Sequence, residues 1–363
     1  MKSKLLVVSR GEAKNPKTWS GTPKNIYDRL TDNGGFEEVR SFNLRLLYDR
    51  FTYAVHWVMI KLAIPWYFRQ PILYGYLKKK THRMLKKSQA DAVLFIDQHC
   101  IGKGVDSSKR YYCYLDSVLP PVFERLEHPS PWQKMVMTRY IKNDIQSLRQ
   151  MTGIFTANQW VKDYLIHEYG IQEQLIHNVR CGANISPLKE EKDYSRHLLL
   201  IVLRSNTKWR KGLPLVLEAM PLVRKVIPDA RLAVVGCSGE EQEGVDYYDG
   251  YPRSKTVELF RESTLYVMPA QWEPLGLTYL EALANKTPIV GLNRFAVPEF
   301  SGNGKYGFVV DQADPKHLAD VLINALKDQD RLKKMGEEGQ IFAIQNYNWD
   351  KTVAMIEGLM SKQ

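Results

Sequence analysis

Two glutamates lie eight positions apart in the stretch EPLGLTYLEA, which covers residues 273–282. Glu273 follows the strand-like run LYVMPAQW, whereas Glu281 falls almost two turns into the helix that LGLTYLEALANK predicts. Carboxylates can exchange protons or accept hydrogen bonds from hydroxyl groups. One carboxylate at a strand-to-helix crossing and another along the same helix favour hydroxyl binding at two points of one ligand.

The helix start between the two glutamates has the features of an anion site. Its N–H groups attract negative charge, and Gly276 lets a ligand approach the backbone closely. Upstream, the strand-like HLLLIVL is followed by RSNTKWRKG, which offers the cations Arg204, Lys208, Arg210 and Lys211. Cations beside phosphate oxygens form charge-assisted hydrogen bonds. These features predict a diphosphate at the helix start, a ribose at Glu281 and a polyhydroxylated group at Glu273.

The elements around these residues alternate between strand and helix in both halves of the chain. KLLVVS, ADAVLFID, KRYYCYLD and GIFTA are strand candidates in the first half, and HLLLIVL, ARLAVVG, TLYVMPA and TPIVGL in the second. Such repetition predicts an α/β fold of two doubly wound Rossmann-like domains facing each other across a cleft. The expected domains are residues 1–186 and 187–345. Polar ISPLKEEKDYSR (185–196) reads as a linker.

The second half resembles a known enzyme family. EPLGLTYLEALANKTPIVG resembles the E-x7-E signature of retaining family-four glycosyltransferases. WRKGLPLVLEAMPLVRKVIPDARLAVVG is similar to the phosphate-binding lysine loop of that family, and DGYP followed by VELFRESTLYVMPA to its base-recognition segment. NYNWDKTVAMIE resembles its closing helix, so residues 346–363 are expected to return to the first domain. In the first half the resemblance is limited to WSGTP and GIFTANQWVKDYLIHEYGI.

The resemblance implies the GT-B fold, in which residues 1–186 would bind the acceptor and 187–345 the donor. It also implies a nucleotide-diphosphate sugar donor, no cofactor or essential metal, and retention of anomeric configuration. Glu273 would contact the donor sugar and position it for same-face attack, and Glu281 would bind the ribose. Lys211 would hold the diphosphate together with the backbone N–H groups of Gly276, Leu277 and Thr278. The second cation would be Arg204 or Lys208. Tyr251 is either a base contact or a turn-packing residue.

Candidate residues in the first half follow predicted strands. In TWSGTPKN, Ser20 or Thr22 would cap a helix, or Gly21 and the N–H groups after it would face the cleft near donor or acceptor. His99 and Asp116 follow the strands of IDQHC and CYLDS and are candidate catalytic groups near the acceptor. The alternative for each is a structural group with satisfied hydrogen bonds.

Basic charge is concentrated in the first half. Residues 1–186 carry 28 lysines and arginines against 16 aspartates and glutamates, whereas the remainder has 23 against 24. Residues 50–90 hold nine lysines and arginines, no acidic residue and many aromatic residues. Aromatic side chains between cations suit an anionic membrane surface. The alternative is a helix packed on the first domain with a solvated basic face.

Composition and residue spacing limit the remaining classes of site, location and function. The four cysteines lack C-x-x-C spacing, no histidine cluster suggests a metal, and MKSKLLVVSR lacks the pattern of a signal peptide. A cytoplasmic enzyme of polysaccharide or glycoconjugate synthesis is expected, with peripheral attachment to the inner face of a membrane left open. Its partners would be a nucleotide sugar and a glycan or lipid-linked acceptor. Two alternatives are a nucleic-acid-binding protein, although no such module is recognisable, and a catalytically silent donor-binding partner.

Overall fold

The computed structural model describes residues 2–47, 50–62, 78–98, 101, 108–118 and 129–361. The chain divides into two compact units, one of residues 1–181 with 349–363 and the other of residues 182–348. Each unit contains one parallel six-stranded sheet flanked by helices. The predicted α/β class with two doubly wound domains is therefore confirmed.

The sheet of the first unit has the strand order β2-β1-β3-β4-β5-β6. Its strands are β1 (Lys4–Ser9), β2 (Glu38–Asn43), β3 (Ala92–Ile96), β4 (Arg110–Leu115), β5 (Gly153–Thr156) and β6 (Ile176–Asn178). The helices are α1 (Thr22–Asp32), α2 (Arg50–Lys61), α3 (Pro131–Leu148) and α4 (Gln159–His167), with residues 78–87 also helical. All strand pairs are parallel, so the chain leaves each strand at the same edge of the sheet.

Burial explains why the central strands form. Every side chain of β3 is buried, and so are five of the six in β1 and in β4. Continuous apolar runs of this kind are typical of parallel strands covered on both faces. Ser9, Asp97 and Asp116 follow or end these strands, and they therefore lie along one edge of the sheet.

The C-terminal helix α11 (Trp349–Ser361) belongs to the first unit and packs on α1. Arg29 of α1 forms an ion pair with Asp350 at 2.5 Å. Asn33 Nδ2 donates to Glu357 Oε2 at 3.0 Å, and the Arg110 guanidinium donates to the carbonyl of Met360 at 3.1 Å. These contacts tie both ends of α11 to the first unit.

The sheet of the second unit has the strand order β12-β11-β10-β7-β8-β9. Its strands are β7 (Leu198–Val202), β8 (Arg231–Val235), β9 (Val245–Tyr248), β10 (Leu265–Val267), β11 (Ile289–Leu292) and β12 (Gly307–Val310). Its helices are α5 (Leu213–Val226), α6 (Arg253–Glu262), α7 (Leu277–Ala284), α8 (Val297–Ser301), α9 (Pro315–Leu326) and α10 (Gln329–Asn346). The crossing from β10 to α7 carries both glutamates of the E-x7-E stretch.

The stretch 185–196 is anchored to the second unit instead of forming a free linker. Leu188 is buried, and its N–H donates to the carbonyl of Ala284 at 3.0 Å. The buried Lys192 ammonium donates to the carbonyls of Phe260 and Asn285 and to Thr287 Oγ1, at 2.7–3.0 Å. The polar residues that suggested a linker thus include Lys192, which donates hydrogen bonds to carbonyls at the ends of two helices.

The structure describes residues 50–62 and 78–90 of the basic segment 50–90. The segment contributes α2 and the helical residues 78–87, while residues 63–77 lie outside the described chain. In the described ranges, no helix combines the length and the apolar character needed to cross a membrane.

Candidate donor-binding site

The crossing from β10 to α7 places Glu273 in a loop and Glu281 inside the helix. Both carboxylates are mostly shielded from solvent, with 15% and 11% of their side chains exposed. Gly276 is the N-cap residue of α7 and has a φ of 69°. A Cβ at this position would lie 2.6 Å from the Tyr279 ring, so only glycine fits. The helix α7 therefore begins at a residue without a side chain.

The loop after β7 approaches the loop after β10 very closely. Gly212 has a φ of 79°, and a Cβ there would lie 2.2 Å from the carbonyl oxygen of Pro269. The carbonyl of Arg210 accepts the N–H groups of Gln271 at 2.9 Å and Trp272 at 3.3 Å. These backbone contacts fix the cations of the first loop beside the carboxylate of the second.

Glu273 is held by two cations. Its Oε2 lies 3.4 Å from Lys211 Nζ and 3.3 Å from the Arg210 guanidinium. Lys211 also donates to the carbonyl of Val202 at the end of β7, at 3.3 Å. The structure thus brings together Glu273 and Lys211, which were both predicted site residues. An arrangement of two cations and one carboxylate at a helix start can bind an anion and hydroxyl groups side by side.

Glu281 has a different electrostatic environment. Burial raises the pKa of Glu281 to about 7, opposed by the positive charges of Arg253 and Lys211. The Arg253 guanidinium lies 3.5 Å from Glu281 Oε1 and donates to the carbonyl of Asn184 at 2.9 Å. A buried carboxylate paired with one guanidinium retains lone pairs for further hydroxyl donors.

A buried tyrosine connects the two ends of the site. The Tyr266 hydroxyl on β10 donates to Thr278 Oγ1 at 2.7 Å. Burial raises the pKa of Tyr266, and the charges of Glu273 and Glu281 add to this effect. The charges of both carboxylates therefore act on the Tyr266 side chain, which is hydrogen-bonded to Thr278 in the first turn of α7.

Other predicted donor residues lie outside this cluster of ion pairs. Arg204 is exposed, and its backbone N–H donates to Thr207 Oγ1 at 3.0 Å. The Lys208 ammonium donates to the carbonyl of Ser238. Tyr251 is exposed and packs edge-on against Tyr248, with ring centroids 5.3 Å apart. Leu277 and Thr278 occupy the first turn of α7, as the motif requires.

Two arginines of the site received no individual role from sequence, although Arg210 was among the cations expected near the phosphates. Arg210, next to Lys211, is the cation that joins it on Glu273. Arg253 follows Tyr251 and Pro252 directly and begins α6. Sequence alone gives only a weak indication of both, since Arg210 is next to Lys211 and Arg253 lies two positions after Tyr251. Their pairing with glutamates 63 and 28 positions later depends on the fold.

Of the first-unit candidates, the structure describes Asp116, Ser20, Gly21 and Thr22. His99 lies outside the described residues. Asp116 follows β4 and is half-buried, and its carbonyl accepts from Asn158 Nδ2 at 3.4 Å. The expectation that Ser20 or Thr22 caps α1 is wrong, because the N-cap residue is Gly21, with a φ of 85° and no side-chain cap. Thr22 is buried, whereas Ser20 is exposed.

Within the described chain, no group of three or more His, Cys, Asp or Glu residues is arranged to hold a metal ion. Three cysteines, Cys113, Cys181 and Cys237, are free and buried.

Comparisons with known proteins agree with this geometry. Residues 188–342, which lie within the second unit, match the model of glycosyl transferases group 1. This match confirms the resemblance to glycosyltransferases that was found in the second half of the sequence.

Relatives and solved structures extend this match. A GDP-mannose-dependent alpha-(1-6)-phosphatidylinositol monomannoside mannosyltransferase of Mycolicibacterium smegmatis is 28% identical over 181 residues, or 45% of this chain and 47% of that protein. The match thus spans about half the length of this curated relative. Sucrose-phosphate synthase of Thermosynechococcus elongatus superimposes with a TM-score of 0.71, 13% identity and 99% of each chain covered. Anabaena HepE in complex with UDP-glucose gives 0.68 at 13% identity, covering 99% of this chain and 100% of that one. The predicted GT-B fold is confirmed.

Proposed function

We propose that this chain is a retaining glycosyltransferase that moves a hexose-type sugar from a nucleotide-diphosphate donor to a hydroxyl of a glycan or glycolipid. The observation that carries the proposal is the position of Lys211 and Arg210 beside Glu273, at the start of the helix that holds buried Glu281. This order of groups matches the order of sugar, diphosphate and ribose in a nucleotide sugar.

The donor would lie along the first two turns of α7. Its diphosphate would face Lys211, Arg210 and the N–H groups of Gly276, Leu277 and Thr278. Glu281 would accept both ribose hydroxyls, and Glu273 would accept hydroxyls of the sugar. Thr278 is already oriented by its hydrogen bond from Tyr266.

The reaction breaks the bond between the sugar and the diphosphate, and negative charge develops on the leaving group. Fixed cations and helix N–H groups stabilise that charge without reorganising, which is a large source of rate acceleration. We propose that Lys211 and Arg210 supply this stabilisation without a metal ion. The acceptor hydroxyl would attack on the face from which the diphosphate departs, with Glu273 positioning the sugar.

The relatives suggest which donors to test first. The mannosyltransferase of M. smegmatis is named as dependent on GDP-mannose, and Anabaena HepE was solved with UDP-glucose. Tyr251 and Tyr248, at the end of β9, are candidate contacts for the base. Both GDP-sugars and UDP-sugars are therefore primary candidates.

Thermal shift with nucleotides tests the proposed function. We expect one of UDP, GDP, ADP or dTDP, with its sugars, to raise the melting temperature, because a ligand that binds only the folded state stabilises it according to its affinity. Glu281→Gln should lower this stabilisation, whereas Glu218→Gln on the exposed side of α5 should not. Absence of a shift with all four nucleotides and their sugars would contradict the proposal.

The pKa of Glu281 gives the same experiment a pH dependence. Since burial raises this pKa to about 7, the carboxylate that accepts the ribose hydroxyls is mostly protonated at pH 6 and mostly ionised at pH 8. We expect about tenfold weaker binding at pH 6 than at pH 8. The intact nucleotide sugar is the correct ligand, because its diphosphate lacks a terminal group that titrates near pH 6. Binding by Glu281→Gln should be independent of pH in this range.

We also propose that the first unit attaches to an anionic membrane surface. On α2 the side chains of Phe51, Trp57 and Ile60 are 48–64% exposed, and Lys61 lies 5.2 Å from the centre of the Trp57 ring. The helical residues 78–87 add the exposed cations Lys79, Arg83 and Lys86. Exposed aromatic side chains next to cations suit the interface of a bilayer. Such attachment would suit an acceptor carried on a lipid.

Charge reversal tests this attachment. Lys79→Glu, Arg83→Glu and Lys86→Glu together should abolish cosedimentation with vesicles containing phosphatidylglycerol, since each basic residue near the surface contributes about 1 kcal/mol. Lys78 is left intact because it contacts Ser147 near buried Asp144. The control replaces Lys316, Lys327 and Lys333, exposed in the second unit, with glutamate. Equal binding by both triple variants, or none by the wild type, would refute the proposal.

A further inference from the structure

The loops that follow three neighbouring strands of the second unit are joined to one another around Glu273. The strands β7, β10 and β11 lie side by side in a parallel sheet, so their carboxyl ends meet at one edge. The carbonyl of Arg210, after β7, accepts the N–H groups of Gln271 and Trp272, after β10. The side chains of Gln271 and Trp272 in turn contact residues 293–296, which follow β11. The loop after β11 therefore belongs to the surroundings of Glu273.

Arg294 is the cation that the loop after β11 contributes. Its Nη1 donates to Gln271 Oε1 at 2.8 Å, and Gln271 lies two positions before Glu273. Arg294 is exposed, and among the residues that the structure describes no carboxylate lies within ion-pair distance of its guanidinium. A guanidinium has five N–H donors, and Gln271 accepts one of these. Arg294 therefore retains its charge and further N–H groups for a ligand.

The backbone next to Arg294 is strained. Phe295 has a φ of 55°, in the left-handed region that residues with a bulky side chain rarely adopt. Its ring packs edge-on against the Trp272 ring, with the ring centroids 4.8 Å apart. The Arg294 N–H donates to the carbonyl of Leu292 at 2.7 Å, which closes a tight turn. Strained backbone that the surrounding structure enforces fixes side-chain directions and occurs preferentially at ligand sites.

In the proposed donor complex, Arg294 is a cation without an assigned partner. Lys211 and Arg210 face the two phosphates together with the start of α7, and Glu273 accepts hydroxyls of the sugar. A neutral hexose offers Arg294 hydroxyl groups but no opposite charge. A carboxylate on the transferred sugar would pair with the guanidinium through two parallel N–H···O bonds, the geometry that arginine is suited to form. The loop after β11 therefore favours a donor with an acidic sugar.

We propose that Arg294 makes this chain select a donor whose transferred sugar is a hexuronate, the C6 acid of a hexose. The guanidinium binds the C6 carboxylate, the Gln271 amide holds the guanidinium in place, and the packing of Phe295 on Trp272 fixes the turn. This inference rests on the proposed transferase function and deepens it, because it names the class of sugar at the Glu273 end of the site. Arg294 determines specificity and takes no part in breaking the bond to the diphosphate.

Calorimetry on the full chain with matched donors tests the proposal. The probes are glucuronate and glucose, and mannuronate and mannose, each linked to the nucleoside diphosphate that thermal shift identifies among UDP, GDP, ADP and dTDP. Each pair differs only in a carboxylate against a hydroxymethyl group. We expect the wild type to bind one hexuronate donor at least tenfold more tightly than its hexose counterpart. Arg294→Gln should remove this preference and leave the affinity for the nucleoside diphosphate unchanged. Arg261→Gln is the control, since it removes an exposed arginine at the end of α6, before the amino end of β10.

Two further variants report on the geometry at Arg294. Arg294→Lys should keep part of the preference, since an ammonium retains the charge but not the planar fork of donors. Gln271→Ala should weaken the preference without changing the affinity for the nucleoside diphosphate, as expected of a positioning residue.

The outcomes that overturn the proposal are distinct from failure of the transferase function. Equal affinity of the wild type for hexuronate and hexose in both pairs, or a preference that Arg294→Gln retains, would overturn it. Arg294-dependent binding of free glucuronate beside the bound hexose donor, with no preference between donors, would place the carboxylate on the acceptor and also overturn it. In each of these cases the nucleoside diphosphate still binds, whereas failure of the transferase function is seen as no nucleotide binding at all.

Discussion

Replacing Lys211 with alanine is expected to lower turnover roughly 10²–10³-fold, the range measured when one donor that stabilises developing negative charge is removed. Lys211 Nζ lies at the start of α7, 3.4 Å from Glu273 and bonded to the carbonyl that ends β7. Its charge is thus fixed before the reaction. Because the charge on the leaving diphosphate grows during the reaction, kcat should fall more than donor affinity.

The measurement is the initial rate of nucleoside diphosphate release from the donor, at saturating donor concentration, with the acceptor or in water. Lys225→Ala provides a matched control, since Lys225 is an exposed lysine on α5 in the same unit. A Lys211→Ala enzyme with turnover within twofold of the wild type would contradict the role assigned to this side chain. Arg210→Ala should have a smaller effect, because Lys211 remains beside Glu273.

The second large effect is expected at Glu273. Glu273→Ala should lower turnover at least tenfold, while the affinity for the nucleoside diphosphate is kept or increases. The reason lies in its two ion pairs, with Lys211 and Arg210. Removing the carboxylate leaves both cations available to the diphosphate but removes the group that positions the sugar. A structural role for Glu273 would instead weaken nucleotide binding together with turnover.

Calorimetry with the nucleoside diphosphate and the rate assay with the intact donor separate these outcomes. Glu218→Ala, at an exposed position of α5, controls for loss of a negative charge in the same unit. Unchanged turnover in Glu273→Ala would exclude the positioning role. Loss of nucleotide binding would show that the carboxylate mainly organises the two cations.

Strong local patterns made the central fold predictable from sequence. Apolar runs such as AVLFI become fully buried strands, and the run LLLIV forms β7. The short edge strands β6, β9 and β12 were not recognised. They contain three or four residues each, and most of their side chains are only half-buried, so neither a continuous apolar run nor a clear alternation marks them.

The residues of the candidate site also fall into those that the sequence predicts and those that only the fold brings together. Glu273, Gly276 and Glu281 lie within one contiguous stretch, so their spacing along a strand-to-helix crossing is visible in the sequence. The pairing of Arg253 with Glu281 and the anchoring of Lys192 at the ends of two helices depend on contacts between distant segments. Local propensity carries no information on such contacts. The strained backbone of Trp19 and Asp97 is likewise imposed by tertiary packing, against the preference of both residue types.

The central claim is that one nucleotide sugar spans Glu273 and Glu281 at the crossing from β10 to α7, and a crystal structure of the complex with the donor tests it most directly. The account predicts ribose hydroxyls within hydrogen-bond distance of Glu281, the diphosphate at Lys211 and the N–H groups of Gly276–Thr278, and the transferred sugar at Glu273. A donor bound elsewhere, or bound here with its ribose at Glu273 and its sugar away from both carboxylates, would contradict the account.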